Sequence, residues 1–203
     1  MRNYIAEKVY NTLQHFNFGG IAVVIDDPLP EYLDLSSVLK VIEKNIPKVL
    51  YDDIEQIRVG EYDFFEERNI NALYKDSILY ISNDQDNFND LLDDIIHEIA
   101  HHVEEKLPEN IYGDQLIKRE FLHKRKQLEF ELRSEGYWTE EYDFKEIKFD
   151  KEFDIFLYKR LGKRMLKMVT SGMFIRPYAS VSLREYFATG FEAYYLSTEK
   201  RDA

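Results

Sequence analysis

The stretch 88-FNDLLDDIIHEIAHHVEEKL-107 constrains this chain more than any other. Phe88, Leu91, Leu92, Ile95, Ile96, Ile99, Val103 and Leu107 recur at three- and four-residue spacing, which predicts a helix with one buried stripe. Pro108 ends it, because proline brings no amide proton to the helical ladder. Within that helix His97 and His101 stand one turn apart on the same side, so both imidazoles can reach a common atom. Glu98 stands beside them. His-Glu-x-x-His on a helix offers a divalent metal two nitrogen ligands, with a carboxylate placed to take a proton from a water the metal polarises. A plainer description fits the same residues: an amphipathic helix whose histidines flank a buried face.

Strand patterns cluster ahead of this helix and helical patterns follow it. Residues 4 to 15 read as a helix, Gly19-Gly20 punctuate the chain, and 21-IAVVI-25 reads as a strand. Asp34 or Ser36 is placed to cap a helix running to about Leu50, with Leu39, Ile42 and Ile46 on its buried face. The segments 54-IEQIRVGEY-62 and 73-LYKDSILYIS-82 alternate and are rich in β-branched and aromatic residues, so each is expected to be one strand. Helices are expected over roughly 112 to 134, 150 to 170 and 183 to 197, with 142-YDFKEIKF-149 open between strand and loop. This distribution predicts an α+β fold. A single domain over 1–203 would have a sheet-bearing lobe, 1–107, that includes the His-Glu-x-x-His helix, and a helical lobe, 108–203.

Composition narrows the function classes. The chain has 203 residues, 44% of them hydrophobic, enough for one core, and a net charge of −12 offers no basic surface to displace phosphate counterions. A nucleic-acid partner is therefore not expected. No run of about 20 apolar residues occurs, so no membrane span is expected, and the N-terminus lacks the pattern of a signal peptide. We expect a cytoplasmic location in the producing cell and a monomer. The absence of cysteine removes disulfides and thiolate metal sites together.

A catalytic zinc takes a third protein ligand. Isolated His15 and His123 are read as structural, and His102, about 100° around the helix from His101, as packing or surface. A carboxylate on a second helix is then required, and Glu185, which opens 183 to 197 on a face continuing through Thr189 and Glu192, is the candidate. Ser182-Leu183-Arg184-Glu185 is equally a capping box, in which Glu185 bonds back to the N-cap amide. Asp93, Asp94, Glu104 and Glu105 read as a solvated face. Tyr186, Phe187 and Phe191 read as core, and Trp138 as an anchor of the second lobe.

Tyr178, then Glu185 seven residues later, followed by Tyr186, Phe187, Ala188 and Phe191, resembles the anthrax lethal-factor protease domain and the secreted proline–proline endopeptidases, a gluzincin group. Tyr194-Tyr195-Leu196 looks like the endopeptidase version, and 97-HEIAHH-102 supplies the second matching block. The resemblance implies a zincin-like fold with one Zn2+ held by His97, His101 and Glu185. It implies Glu98 as the residue that activates water and Tyr178 as hydroxyl donor to the oxyanion. Thr189 stands where those relatives carry a glutamate, which leaves histidine orientation to Thr189, Glu192 or another group. The expected activity is that of a zinc metalloendopeptidase, its peptide substrate laid as an extended strand against 78-ILYIS-82. Two alternatives stay open: a regulatory protease that cleaves a repressor-type partner, and a zincin-shaped binding module that hydrolyses nothing.

Overall fold

Two tight hairpins bracket the sheet, and both use the same backbone device. In the computed structural model, which describes residues 14–68 and 70–199, β1 (Gln14–Phe18) turns into β2 (Ile21–Ile25) through Gly19 and Gly20, at φ 59° and 110°. Strand β4 (Ala72–Lys75) turns into β5 (Ile78–Ser82) through Asp76 and Ser77, at φ 53° and 63°. Two successive positive φ values give a two-residue turn the twist that antiparallel strands need. The expected single strand over 73 to 82 is thus corrected to a hairpin. Its alternation continues through the turn, and neither Asp76 nor Ser77 is the glycine that usually marks this geometry.

The described residues fall into two compact units, one within Met1–Val103 and Tyr195–Ala203, the other Glu104–Tyr194. The first holds a five-stranded mixed sheet in the order β1-β2-β3-β5-β4, where β3 is Gln56–Gly60. β2, β3 and β5 run parallel, and the outer strands β1 and β4 are antiparallel to their neighbours. Val23, Ile57, Val59, Leu79 and Ile81 supply its buried residues. Helix α1 (Leu35–Asn45) crosses from β2 to β3, capped by Asp34, whose carboxylate accepts from Ser36 N at 3.0 Å. It stops five residues short of Leu50: Ile46 is extended because Pro47 follows it. Ile46 is nonetheless buried, as expected. A short helix α2 (Asp63–Arg68) precedes β4. Expected helix 4 to 15 lies outside the described residues except for Gln14 and His15, which open β1.

Helix α3 (Phe88–Lys106) is where the sequence places it, with Asn87 Oδ1 accepting from Asn89 N and Asp90 N at 2.9 and 3.1 Å. Leu91, Leu92, Ile95, Ile96, Ile99 and Val103 are buried. Leu107, expected on the same stripe, is exposed, because Pro108 ends α3 and also begins α4 (Pro108–Tyr112). The fold is mixed α+β, with strands ahead of α3 and helices after it.

In the second unit, α5 (Leu116–Ser134) follows α4 after Gln115 takes a left-handed φ of 61°, which breaks the single helix expected from 112. Residues 142 to 149 form turns and bends, not a strand. The span 150 to 170 is three pieces: α6 (Lys151–Ile155), a π-helical segment Phe156–Gly162, and α7 (Lys163–Thr170). A 3-10 turn, Pro177–Ser180, leads to α8 (Leu183–Glu199). Phe121, Leu128, Phe153, Phe156, Leu157 and Leu166 form the centre of this core. Trp138 is 63% exposed and so does not anchor it, and Tyr186, Phe187 and Phe191 are only half-buried. Arg125 occupies the interior position expected of an apolar residue, 1% exposed.

Candidate metal centre

One helical turn separates His97 from His101 on α3, and their ring centres lie 4.8 Å apart with the planes at 88°. Two imidazoles bound to one tetrahedral ion at about 2.0–2.1 Å would hold their ring centres roughly 5 Å apart, so the observed spacing suits a shared metal. A carboxylate oxygen of Glu98 joins their ligand nitrogens in a group whose atoms all lie within 4.8 Å of one another. His97 is half-buried while Glu98 and His101 are buried. These three residues can hold a metal ion.

Glu98 is not held by its helix alone. Its Oε2 accepts the backbone N–H of Tyr74, on β4, at 2.5 Å. His102, next along α3, turns its Nδ1 to the Tyr74 hydroxyl at 3.1 Å, and the two rings meet edge to face at 5.2 Å. His102 is therefore packed and buried, not a surface residue. His15 and His123 are both exposed, His15 on β1 and His123 on α5, and neither belongs to the core.

The acidic residues around α3 divide in two. Glu105 is solvated as expected, but Asp94 is not: Gln85, itself buried, donates through Nε2 to Asp94 Oδ2 at 3.2 Å. Burial, with a smaller push from the charge of Glu98, raises the Asp94 carboxyl to about 6 against the pull of the Gln85 hydrogen bond. Glu104 is also half-buried, accepting from the Tyr112 hydroxyl at 2.5 Å and lying 3.3 Å from Arg184 Nε. Asp93 is half-buried as well; nothing in the pattern of charges separates Asp94 and Glu104 from the solvated Glu105, and the partners that do lie 8 to 80 residues away.

Glu185 and Tyr178 belong to the second unit. Ser182 Oγ accepts the Glu185 backbone N–H at 3.2 Å, so Ser182 does cap α8. The Glu185 charge faces Asp154, Tyr158 and Tyr112, where, after burial, it adds to the upward shift of each pKa. Tyr178, partly exposed in the 3-10 turn, has its ring 6.3 Å from that of Tyr158. Thr189 and Glu192 are buried on α8, and Glu192 Oε1 lies 2.6 Å from Arg176 Nη2.

Strand β5 is paired on both sides, by β3 and β4, so no extended peptide can add to 78–82. β4 is the outer strand on that side of the sheet. Among the described residues no helix is long and apolar enough to cross a membrane. Comparison with family models, with curated proteins and with solved structures finds no match to this chain.

Proposed function

We propose that this chain is a zinc-dependent endopeptidase of the lethal-factor-like group, with its reaction centre on α3. The observation that carries this reading is the convergence of His97, Glu98 and His101, two buried and one half-buried, on a point a metal ion can occupy. The two imidazoles would be the ligands from α3, and imidazole nitrogen suits zinc, with the Glu98 carboxylate beside them left for the water. A zinc ion there would supply a Lewis acid that polarises water and a scissile carbonyl.

The chain's own residues supply the rest. Glu98 takes the proton from the attacking water and returns it to the leaving amine, work for which it needs one carboxylate oxygen while Tyr74 N–H holds the other. The substrate's place moves from β5 to β4. Tyr74 turns its N–H away from β5 to Glu98, so an added strand would pair with the other outward-facing backbone groups of β4, the Tyr74 carbonyl and those of Ala72, beside Glu98. The roles of Glu185 as third ligand and of Tyr178 as oxyanion donor rest on the resemblance of 178–191 to that group.

Metal content and peptide cleavage measured on the same samples test this reading. The wild type should carry about one zinc per chain, Glu98→Gln should retain it with cleavage reduced at least about a hundredfold, and Glu185→Ala should lose occupancy. A wild type that binds no metal, or a Glu98→Gln variant that cleaves as well as wild type, overturns it.

A further inference from the structure

Two ladders offset by one residue run along α3. His97 and His101 form the first, and Glu98 and His102 the second, each pair one turn apart. A single residue of β4, Tyr74, grips both rungs of the second ladder: its backbone N–H holds Glu98 and its hydroxyl meets His102. We propose that Tyr74 and His102 are positioning residues that fix the orientation of the Glu98 carboxylate. This rests on the reading of Glu98 as general base.

The hairpin explains why Tyr74 can do this. In a two-residue turn the closing pair, Lys75 and Ile78, exchanges both backbone hydrogen bonds, and pairs alternate from there, so Tyr74, opposite Leu79, points its N–H outward. An outward N–H on an outer strand ordinarily faces water. Here it meets a buried carboxylate. The direction of Glu98 is therefore set by where β4 lies along α3, and an apolar contact alone would let the strand slide, being non-directional. The contact between the Tyr74 hydroxyl and His102 Nδ1 is directional, and with both side chains buried it has little water to compete with it. With the imidazole proton on Nε2, the hydroxyl donates and Nδ1 accepts.

Tyr74→Phe keeps the ring and the backbone N–H and removes the hydroxyl. His102→Leu removes the partner, and His102→Asn restores a polar atom near the Nδ1 position. In metal-loaded protein with unchanged occupancy, Tyr74→Phe and His102→Leu should lower kcat roughly tenfold with KM for the peptide within about twofold, and His102→Asn should recover most of the loss. The Tyr74 amide proton resonance supplies a readout that needs no turnover. Charge-assisted hydrogen bonding should place it downfield, and Glu98→Gln, Tyr74→Phe and His102→Leu should each move it upfield.

A Tyr74 amide unmoved by Glu98→Gln overturns the proposal, as does a kcat in His102→Leu equal to that of wild type. If wild type cleaves no peptide while the amide responds to all three variants, the clamp stands and the endopeptidase reading falls.

Discussion

Arg58 and Arg125 show how differently the two units stabilise a cation. Arg58, on β3, gives Nε and Nη2 to the Asp26 carboxylate at 2.7–2.9 Å, and both side chains keep partial access to water. Arg125, on α5, is enclosed. Its Nη1 donates to the carbonyls of Ser180 and Val181 at 2.9 and 3.2 Å and its Nη2 to that of Asp143 at 3.2 Å, while Phe153 presents its ring face 4.0 Å away. Burial pushes the guanidinium down to about 10, with the charges of Asp143, Glu146 and Asp150 pulling back. The first arrangement trims an existing sheet. The second organises its unit, because one side chain, Arg125, ties α5 both to the 143 turn and to the segment leading into α8.

The largest expected effect follows directly. Arg125→Met should destabilise the protein by about 3–5 kcal/mol, since the buried carbonyls of Ser180 and Val181 and the part-buried one of Asp143 lose their donors, whereas Arg58→Met should cost about 1 kcal/mol or less. Urea denaturation of both variants measures the gap, and equal losses would break the comparison. A double-mutant cycle sharpens it: Arg125→Met and Phe153→Leu should couple by about 1–2 kcal/mol if the ring face contributes to holding the cation.

Asp26 gives a smaller, pH-dependent effect. Burial pulls its pKa up, but the hydrogen bonds from Tyr62 and Arg58 outweigh this and hold it below 3.8. A depressed carboxylate contributes stability that is present above the unfolded pKa and lost as pH falls through the folded one. The advantage of wild type over Asp26→Asn, about 1 kcal/mol at pH 6, should therefore shrink toward pH 3. An advantage that stays constant would mean that Asp26 acts by packing. The smallest effect has the opposite sign. Ser77, at φ 63°, holds a conformation glycine adopts without strain, so Ser77→Gly should raise stability by about 0.5 kcal/mol, seen as a higher urea midpoint.

The same contrast explains what the sequence reveals. The run 21-IAVVI-25 matches β2 residue for residue, because β-branched residues bounded by Gly20 leave few other choices. The His97–His101 spacing on α3 is equally legible, because a helix fixes which residues share a face. The β4–β5 turn was hidden by an alternation that runs through it. In the second unit the obstacle is of another kind. Phe121, Arg125, Leu128 and Leu132 form one buried stripe, and an arginine inside it breaks the rule by which buried stripes are recognised. The π-helical segment Phe156–Gly162 likewise follows no period that a helix pattern would detect. Tyr74 carries no functional signal at all, since half of what it contributes is a backbone N–H.

That backbone N–H has a consequence for how the molecule behaves in a concentrated solution. An outer strand with unanswered donors is a template on which another chain can polymerise. β4 is only four residues long, and Glu98 already occupies its Tyr74 donor. Replacing Glu98 with alanine would uncover that donor and invite self-association, so a loss of the proposed cleavage in Glu98→Ala would mix two causes. Glutamine keeps an acceptor of the same reach, which makes Glu98→Gln the variant that separates chemistry from solubility.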